Sequence, residues 1–430
     1  PIPFIQRMIF EASLEFALKM DQQDPLAGFR RQFHIPQHAD KDCIYFCGNS
    51  LGLQPKSVVD AIGSELDHWK RLGVEGHFQG KYPWVDYHKY LKPGLVELTG
   101  AADATEVTPM GSLTSNLHLM LASFYRPDRN RFKVIMESGA FPSDQYALET
   151  QCLLHGLDPD SAIIEVSPEP GAHTLNNADI INCIYTHANQ LALVLLSGVQ
   201  YYSGQLFDIG QITAAGHQAG AMVGWDLAHT IGNVPLHLHR DEVDFAVWCS
   251  YKYLNSGPGG TAGVFVHQRH GENTQLKRLG GWWGHDETER FQMKKGFKPM
   301  IGADGWQLSN ANVLSMAAQK ASLDLFMEAG IERIRGKSLS LTGYLEFLLR
   351  EIAVNSGIFQ IITPKNPEER GAQLSLLFQQ RGQEIYQGLK EKGVVVDWRE
   401  PDTIRAAPAP LYNCFEEVFK FGEIIKRLVK

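Results

Sequence analysis

The sequence predicts an α/β chain, a mainly parallel sheet sandwiched by helices with a smaller C-terminal α+β unit. Three observations point there. From about residue 100 to 270, strand-like apolar runs alternate with helical patterns, as a parallel sheet with helices on both faces requires. After Asn310 the texture changes to two long helical patterns, then short strands mixed with helices. At 430 residues the chain is also long for a single hydrophobic core.

Taken in order, "PIPFIQRMIFEASLEFALKMDQQD" reads as an ordinary amphipathic helix without a signal-peptide layout. The alternating region runs "FKVIMES", a helix from Pro142, "AIIEVS", a helix near Asn177 and "LALVLLSGV". It continues with a helix from Ile209, "AMVGWD", "VDFAVWCS" and "GVFVH". Beyond Asn310, "VLSMAAQKASLDLFMEAG" and "IERIRGKSLSLTGYLEFLLREI" are helical, the first a bridge between the two units. "FQIITP", "AQLSLLFQ", a helix at Gln383, "GVVVDWR", "IRAAPAP" and a last helix complete the small unit.

Composition excludes several classes. With 44% apolar and 20% charged residues, the chain has the balance of a soluble globular protein. A net charge of -8 argues against nucleic acid and acidic membranes as partners. No apolar run approaches the ~20 residues that span a bilayer. The six cysteines (Cys43, Cys47, Cys152, Cys183, Cys249, Cys414) show neither metal spacing nor disulfide density, which favours a reducing, cytoplasmic compartment. "GKS" at 336–338 lies in a helical pattern and lacks the upstream glycine of a P-loop. GxGxxG after a strand, HExxH and GxSxG are absent, and no metal is expected.

Parallel sheets bind ligands outside the carboxyl ends of their strands, so the polar residues closing each run carry the functional reading. "FKVIMESGAFPSDQYA" ends in Phe141, Pro142, Ser143 and Asp144 at a helix start. "LVLLSGVQYYSGQ" gives Ser197, Tyr201 and Tyr202, and "VGWDLAHTIGN" places Asp226 after a strand with His229 close behind. Lys252 follows the next run and precedes a glycine-rich loop. Alone, Asp226 reads as a helix cap and Lys252 as a solvated strand-end charge. Together they suit pyridoxal phosphate. The lysine forms a Schiff base with the aldehyde, and the carboxylate keeps the pyridine nitrogen protonated so that the ring accepts electrons. "PMGSLTSNLHLMLASF" offers a phosphate a helix N-terminus with Ser112, Thr114 and Ser115, and Phe141 offers a ring to cover the cofactor.

"YFCGNSLGLQPKSV", "GHFQGKYPW", "FPSDQYA", "GWDLAHTIGN", "WCSYKYLNSGPGG", "GWWGH", "LSNANVL" and "IRAAPAPLYN" closely resemble the kynureninase family. These are fold-type-I pyridoxal-phosphate enzymes of tryptophan catabolism and NAD biosynthesis, and the match runs from about residue 44 to the C-terminus. The resemblance implies a seven-stranded-type sheet in a large domain over 46–310. It also implies a small α+β domain over 311–430, with an N-terminal helical segment, 1–45, packed on it. Lys252 resembles the Schiff-base lysine, Tyr251 a phosphate ligand and proton donor, and Asp226 the pyridinium partner beside His229. Leu113, Thr114, Phe141, Asp144, Ser197, Trp282 and Asn310 match cofactor contacts, with Tyr202 near the phosphate. Trp282 and its neighbours come from the second subunit of a homodimer with shared sites. Arg405 matches the group that holds the substrate α-carboxylate, a task for a bidentate guanidinium. Ser50, His77, Trp283, Ser309 and Asn310 line the aryl-ketone pocket.

The implied reaction is hydrolysis of the Cβ–Cγ bond of L-kynurenine, and of 3-hydroxy-L-kynurenine, to L-alanine and anthranilate or its 3-hydroxy form. Either Tyr251 or a bound water activates the attacking water. The nearest rival is a cysteine desulfurase or class-V aminotransferase, which usually carries histidine where Tyr251 stands. A desulfurase also needs a mobile nucleophilic cysteine, and only Cys414 lies downstream of Lys252. A catalytically inactive binding protein is the remaining alternative, and no vacant motif position supports it.

Overall fold

The computed structural model describes residues 9–273 and 275–430. Its central feature is a seven-stranded sheet. In chain order the strands are β1 (Val107–Pro109), β2 (Lys133–Glu137), β3 (Ile163–Val166), β4 (Leu191–Ser197), β5 (Met222–Asp226), β6 (Phe245–Trp248) and β7 (Gly263–Val266). Their spatial order is β1-β7-β6-β5-β4-β2-β3. All contacts from β6 to β3 are parallel, whereas β7 runs antiparallel to both its neighbours. The cause is the connection. Helices join β2 to β3, β3 to β4 and β4 to β5, while a loop joins β6 to β7 and lets the chain turn straight back.

The strands alternate between two cores, as a pleat covered on both faces must. Ile135, Val194, Leu196, Val223, Trp225, Ala246 and Trp248 enter one core. Val134, Met136, Leu193, Leu195, Phe245 and Val247 enter the other. This second face packs on α3 (Leu113–Phe124) and α4 (Pro142–Leu154), since Leu117, Met120, Phe124, Ala147 and Leu148 share its core. The first face is covered by α5 (Asn177–Thr186), α6 (Ile209–Gln218) and α7 (Val313–Ala329).

Helix α7, the expected bridge after residue 310, packs on the large sheet. Met316, Ala317, Leu323, Phe326 and Ala329 are buried in the large sheet's core, so the bridge belongs structurally to the large unit. After α7, the chain enters the second unit's core at Leu341, within α8 (Ile331–Ser356). There a four-stranded antiparallel sheet has the order β8-β9-β11-β10, formed by β8 (Phe359–Ile361), β9 (Leu374–Phe378), β10 (Asp397–Arg399) and β11 (Thr403–Ala406). The last helix, α9 (Phe415–Leu428), packs on the N-terminal helix Leu14–Gln23, which buries Ala17 in this core. Among the described residues no helix is long and apolar enough to cross a membrane.

Candidate active site at the carboxyl edge of the sheet

Three adjacent strands end in polar side chains on one edge: Glu137 on β2, Ser197 on β4 and Asp226 on β5, with Ser197 and Asp226 in register. Next in the sheet, β6 ends at Trp248 and leads directly to Tyr251 and Lys252. The following loop is pinned by Ser250, whose hydroxyl meets Ser256 Oγ at 2.5 Å and donates to Thr261 O at 2.6 Å. Gly257 sits at φ 89°, a conformation that a side chain strains. Gly52 packs on the lysine's backbone from the other side, and a Cβ there would stand 2.3 Å from Lys252 O.

These ends enclose a pocket lined by Leu113, Thr114, Phe141, Ser143, Asp144, Ser197, Val199, Tyr201, Asp226, Ala228, His229, Tyr251 and Lys252. Nine residues expected from the sequence are therefore brought together: Leu113, Thr114, Phe141, Asp144, Ser197, Asp226, His229, Tyr251 and Lys252. Two helix N-termini converge here. Ser112 caps α3 in a reciprocal box with Ser115, and Pro142 opens α4, where a missing N–H costs nothing. Thr114 Oγ1 lies 2.6 Å from Ser143 Oγ, so two hydroxyls from two helix starts meet at one point.

The electrostatics separate the groups by burial. Lys252 Nζ is 3.1 Å from His229 Nε2 and 5.7 Å from the centre of the Phe141 ring. Burial, then the Lys252 charge, holds His229 far below its ordinary range, so the ring is neutral and accepts from the amine. Burial raises Asp226, opposed by Asp144, by the Ala228 N–H and by Lys252. The Ala228 N–H donates to Asp226 at 2.6 Å within a turn, so Asp226 caps no helix here. Burial and the facing Asp226 charge push Asp144 well up, and its Oδ1 has no partner among the described residues. Burial raises the Tyr251 phenol, with Cys249 adding to the rise, and keeps it protonated at neutral pH.

This donor set fits the cofactor expected from the sequence. Two helix N-termini and paired hydroxyls suit a phosphate, an exposed phenyl face suits an aromatic ring, and buried carboxyls suit a cationic ring nitrogen. Ser143, Tyr201 and Ala228 also line the pocket, although the sequence reading assigned them no role. Ser143 stood on the same helix start as Asp144 and Tyr201 beside Tyr202, so the signal was present.

The other expected residues lie outside this pocket. Tyr202, expected near the phosphate, is turned to the small unit, with its hydroxyl 2.6 Å from Thr403 Oγ1 and donating to Asp402 at 3.1 Å. Arg405 is fully buried on β11, paired with Asp397 at 2.6 Å and donating to the backbone of pocket residue Tyr201 at 2.6 Å. Its Nε has no partner among the described residues. Ser50 is half-buried two residues before Gly52, whose N–H donates to Tyr251 O. His77 is half-buried beside Val74 O and edge-on to Trp84. Trp283 is buried beneath the Arg290 guanidinium, while Trp282, Ser309 and Asn310 are exposed.

Comparison with known proteins fits this geometry. The chain is 49% identical to the kynureninase of Flavobacterium psychrophilum over 421 residues, 98% of this chain and 99% of that protein. It is 50% identical to the kynureninase of Myxococcus xanthus, covering 97% of this chain and 98% of that one. Two solved structures share the fold at low identity. One is a C-DES mutant with glycine covalently linked to its PLP cofactor, at TM-score 0.75 and 18% identity, covering 93% of this chain and 99% of that one. The other is the cysteine desulfurase CsdA of Escherichia coli, at TM-score 0.75 and 17% identity, covering 94% and 98%. Residues 334–425 match the family described as Kynureninase C-terminal domain. With full-length relatives at half identity and a lysine, an aspartate and two helix N-termini at one sheet edge, the chain belongs to the kynureninase family.

Proposed function

We propose that this protein hydrolyses the Cβ–Cγ bond of L-kynurenine, and of 3-hydroxy-L-kynurenine, to L-alanine and anthranilate or 3-hydroxyanthranilate. The carrying observation is Lys252 Nζ in a pocket with buried Asp226 and neutral His229. Pyridoxal phosphate, when bound, supplies the electron sink for carbanions at the substrate's α and β carbons. Leu113, Thr114 and Ser143 would hold its phosphate at the two helix starts, Phe141 would cover its ring, Asp226 would pair with its ring nitrogen and Lys252 would carry it as a Schiff base.

The chain's own side chains move the protons. Lys252 takes the proton from the substrate Cα, with His229 fixing the direction of its amine. Tyr251, protonated at neutral pH, returns a proton to the departing three-carbon fragment. Arg405 binds the α-carboxylate, held in place by Asp397 and by Tyr201 O.

The working unit we propose is a homodimer of the cytoplasm, acting in tryptophan catabolism. Trp282, Phe291 and Phe78 form an exposed aromatic cluster, which supports contact with a second copy. In that assembly Trp282, Ser309 and Asn310 face the partner's pocket, and His77 and Trp283 flank the aryl group.

Release of anthranilate from kynurenine, compared between wild type and Lys252→Ala, tests the reading. The wild type should be yellow, turn over kynurenine and be labelled at Lys252 by borohydride. An equally active Lys252→Ala protein, a wild type active on cysteine but not on kynurenine, or a colourless wild type with no labelled lysine would overturn it.

A further inference from the structure

Glu137 belongs to no motif and has no part in the mechanism above. It closes β2 on the functional edge with its side chain buried, 2% exposed. The Ser197 hydroxyl donates to its Oε1 at 2.5 Å, and both carboxyl oxygens lie 3.3 Å from Ser197 N. Ser197 is a wall of the Lys252 pocket, and its register partner is Asp226. β2, β4 and β5 are neighbours in the sheet, and the Glu137 carboxyl reaches from β2 to Ser197, the residue in register with Asp226.

A glutamine would accept the same serine bond without a buried charge, so hydrogen bonding alone does not call for an acid here. What an acid adds is a variable charge. The charged groups that act on Glu137 are Asp226 on β5 and Asp144 on α4, and Lys252 acts in turn on both of these carboxyls. Burial pushes the Glu137 carboxyl up to about 7, Ser197 opposes the rise, and the Asp226 charge adds to it. It is therefore neutral below that pH and a second negative charge beside Asp226 above it.

We propose that Glu137 is a positioning residue for the cofactor, which locks the Ser197 hydroxyl and, through Asp226, sets the pH range in which the pocket favours a protonated ring nitrogen. The inference rests on the pyridoxal phosphate reading. Coupling of this kind is reciprocal: a cation beside Asp226 makes Glu137 release its proton at lower pH.

The test is the dissociation constant of pyridoxal phosphate for the full chain across neutral pH, in wild type and Glu137→Gln. The cofactor's own ionisations enter both curves and cancel in their ratio. From about pH 6 to about pH 8 the wild type should gain affinity over the variant by on the order of tenfold, the equivalent of one pKa unit. Parallel curves, or a loss that is the same at every pH, would overturn the proposal and leave the cofactor reading intact. A wild type that binds no pyridoxal phosphate would overturn both. Should Glu137→Gln fail to fold, carbon-13 NMR of glutamate-labelled wild type decides. A buried carboxyl titrating near neutrality that moves to lower pH on adding pyridoxal phosphate supports the proposal, and its absence overturns it.

Discussion

Lys252 Nζ lies 3.1 Å from His229 Nε2, an amine set against an imidazole that burial keeps neutral. The ring accepts and the amine donates, so the reactive nitrogen has a fixed direction before any substrate arrives. A hydrogen bond to a charged group contributes about 1.5–3 kcal/mol. His229→Ala should therefore lower kcat/KM for kynurenine by roughly 10–100-fold while borohydride still labels Lys252. Unchanged kinetics would remove His229 from the site's machinery.

Arg405 and Asp397 form a buried pair in which each partner depends on the other. Removing one side of such a pair typically costs about 3–5 kcal/mol, because the remaining charge stays buried alone. Asp397→Ala should lower the midpoint of thermal unfolding clearly. Arg405→Lys keeps the charge but loses the planar fork, so KM should rise by on the order of tenfold or more with a smaller change in kcat. A KM equal to that of wild type would argue against carboxylate binding by Arg405.

The ligand-free protein should lose stability as pH rises through the weakly acid range. The folded Glu137 carboxyl sits near 7 against an ordinary 4.5, so between these values the folded chain holds a proton that the unfolded chain has released. Stability then falls from about pH 4.5 to about pH 7 and levels off above it, by on the order of 3 kcal/mol from this group. Urea unfolding at several pH values should show that slope in wild type and a flatter one in Glu137→Gln. Equal slopes would place the buried proton elsewhere.

Cys414 is the one cysteine downstream of Lys252, and its surroundings argue against sulfur chemistry. It precedes α9 beside Glu417 and Arg30, outside the Lys252 pocket, and burial pushes its thiol up to about 12. A nucleophilic cysteine needs a depressed value and access. Cys414→Ala should leave anthranilate release within about twofold of wild type, since its thiol is raised rather than depressed and lies outside the pocket. A large loss would reopen the desulfurase-like alternative despite Tyr251.

Much of the site was legible because each part has a local signal. Apolar runs marked the strands, Pro142 marked the start of α4, and Asp226 and Lys252 closed successive runs. Glu137 was equally visible at the end of "FKVIMES", but nothing local shows that its carboxyl meets Ser197 sixty residues on. Tyr202 shows the converse case. It stands beside pocket residue Tyr201, yet its own side chain turns to Thr403 on the small sheet.

By itself the sequence determined the element types, the lysine, the aspartate and the helix starts, because burial periodicity and chain punctuation act over a few residues. Tertiary structure decided the antiparallel course of β7, the attachment of α7 to the large core, the burial of Arg405 against Asp397 and the contact of Glu137 with Ser197 beside Asp226. Each of these depends on which distant segments become neighbours. That follows from the connections between strands and from packing energy summed over the whole core, neither of which leaves a trace in any one stretch of sequence.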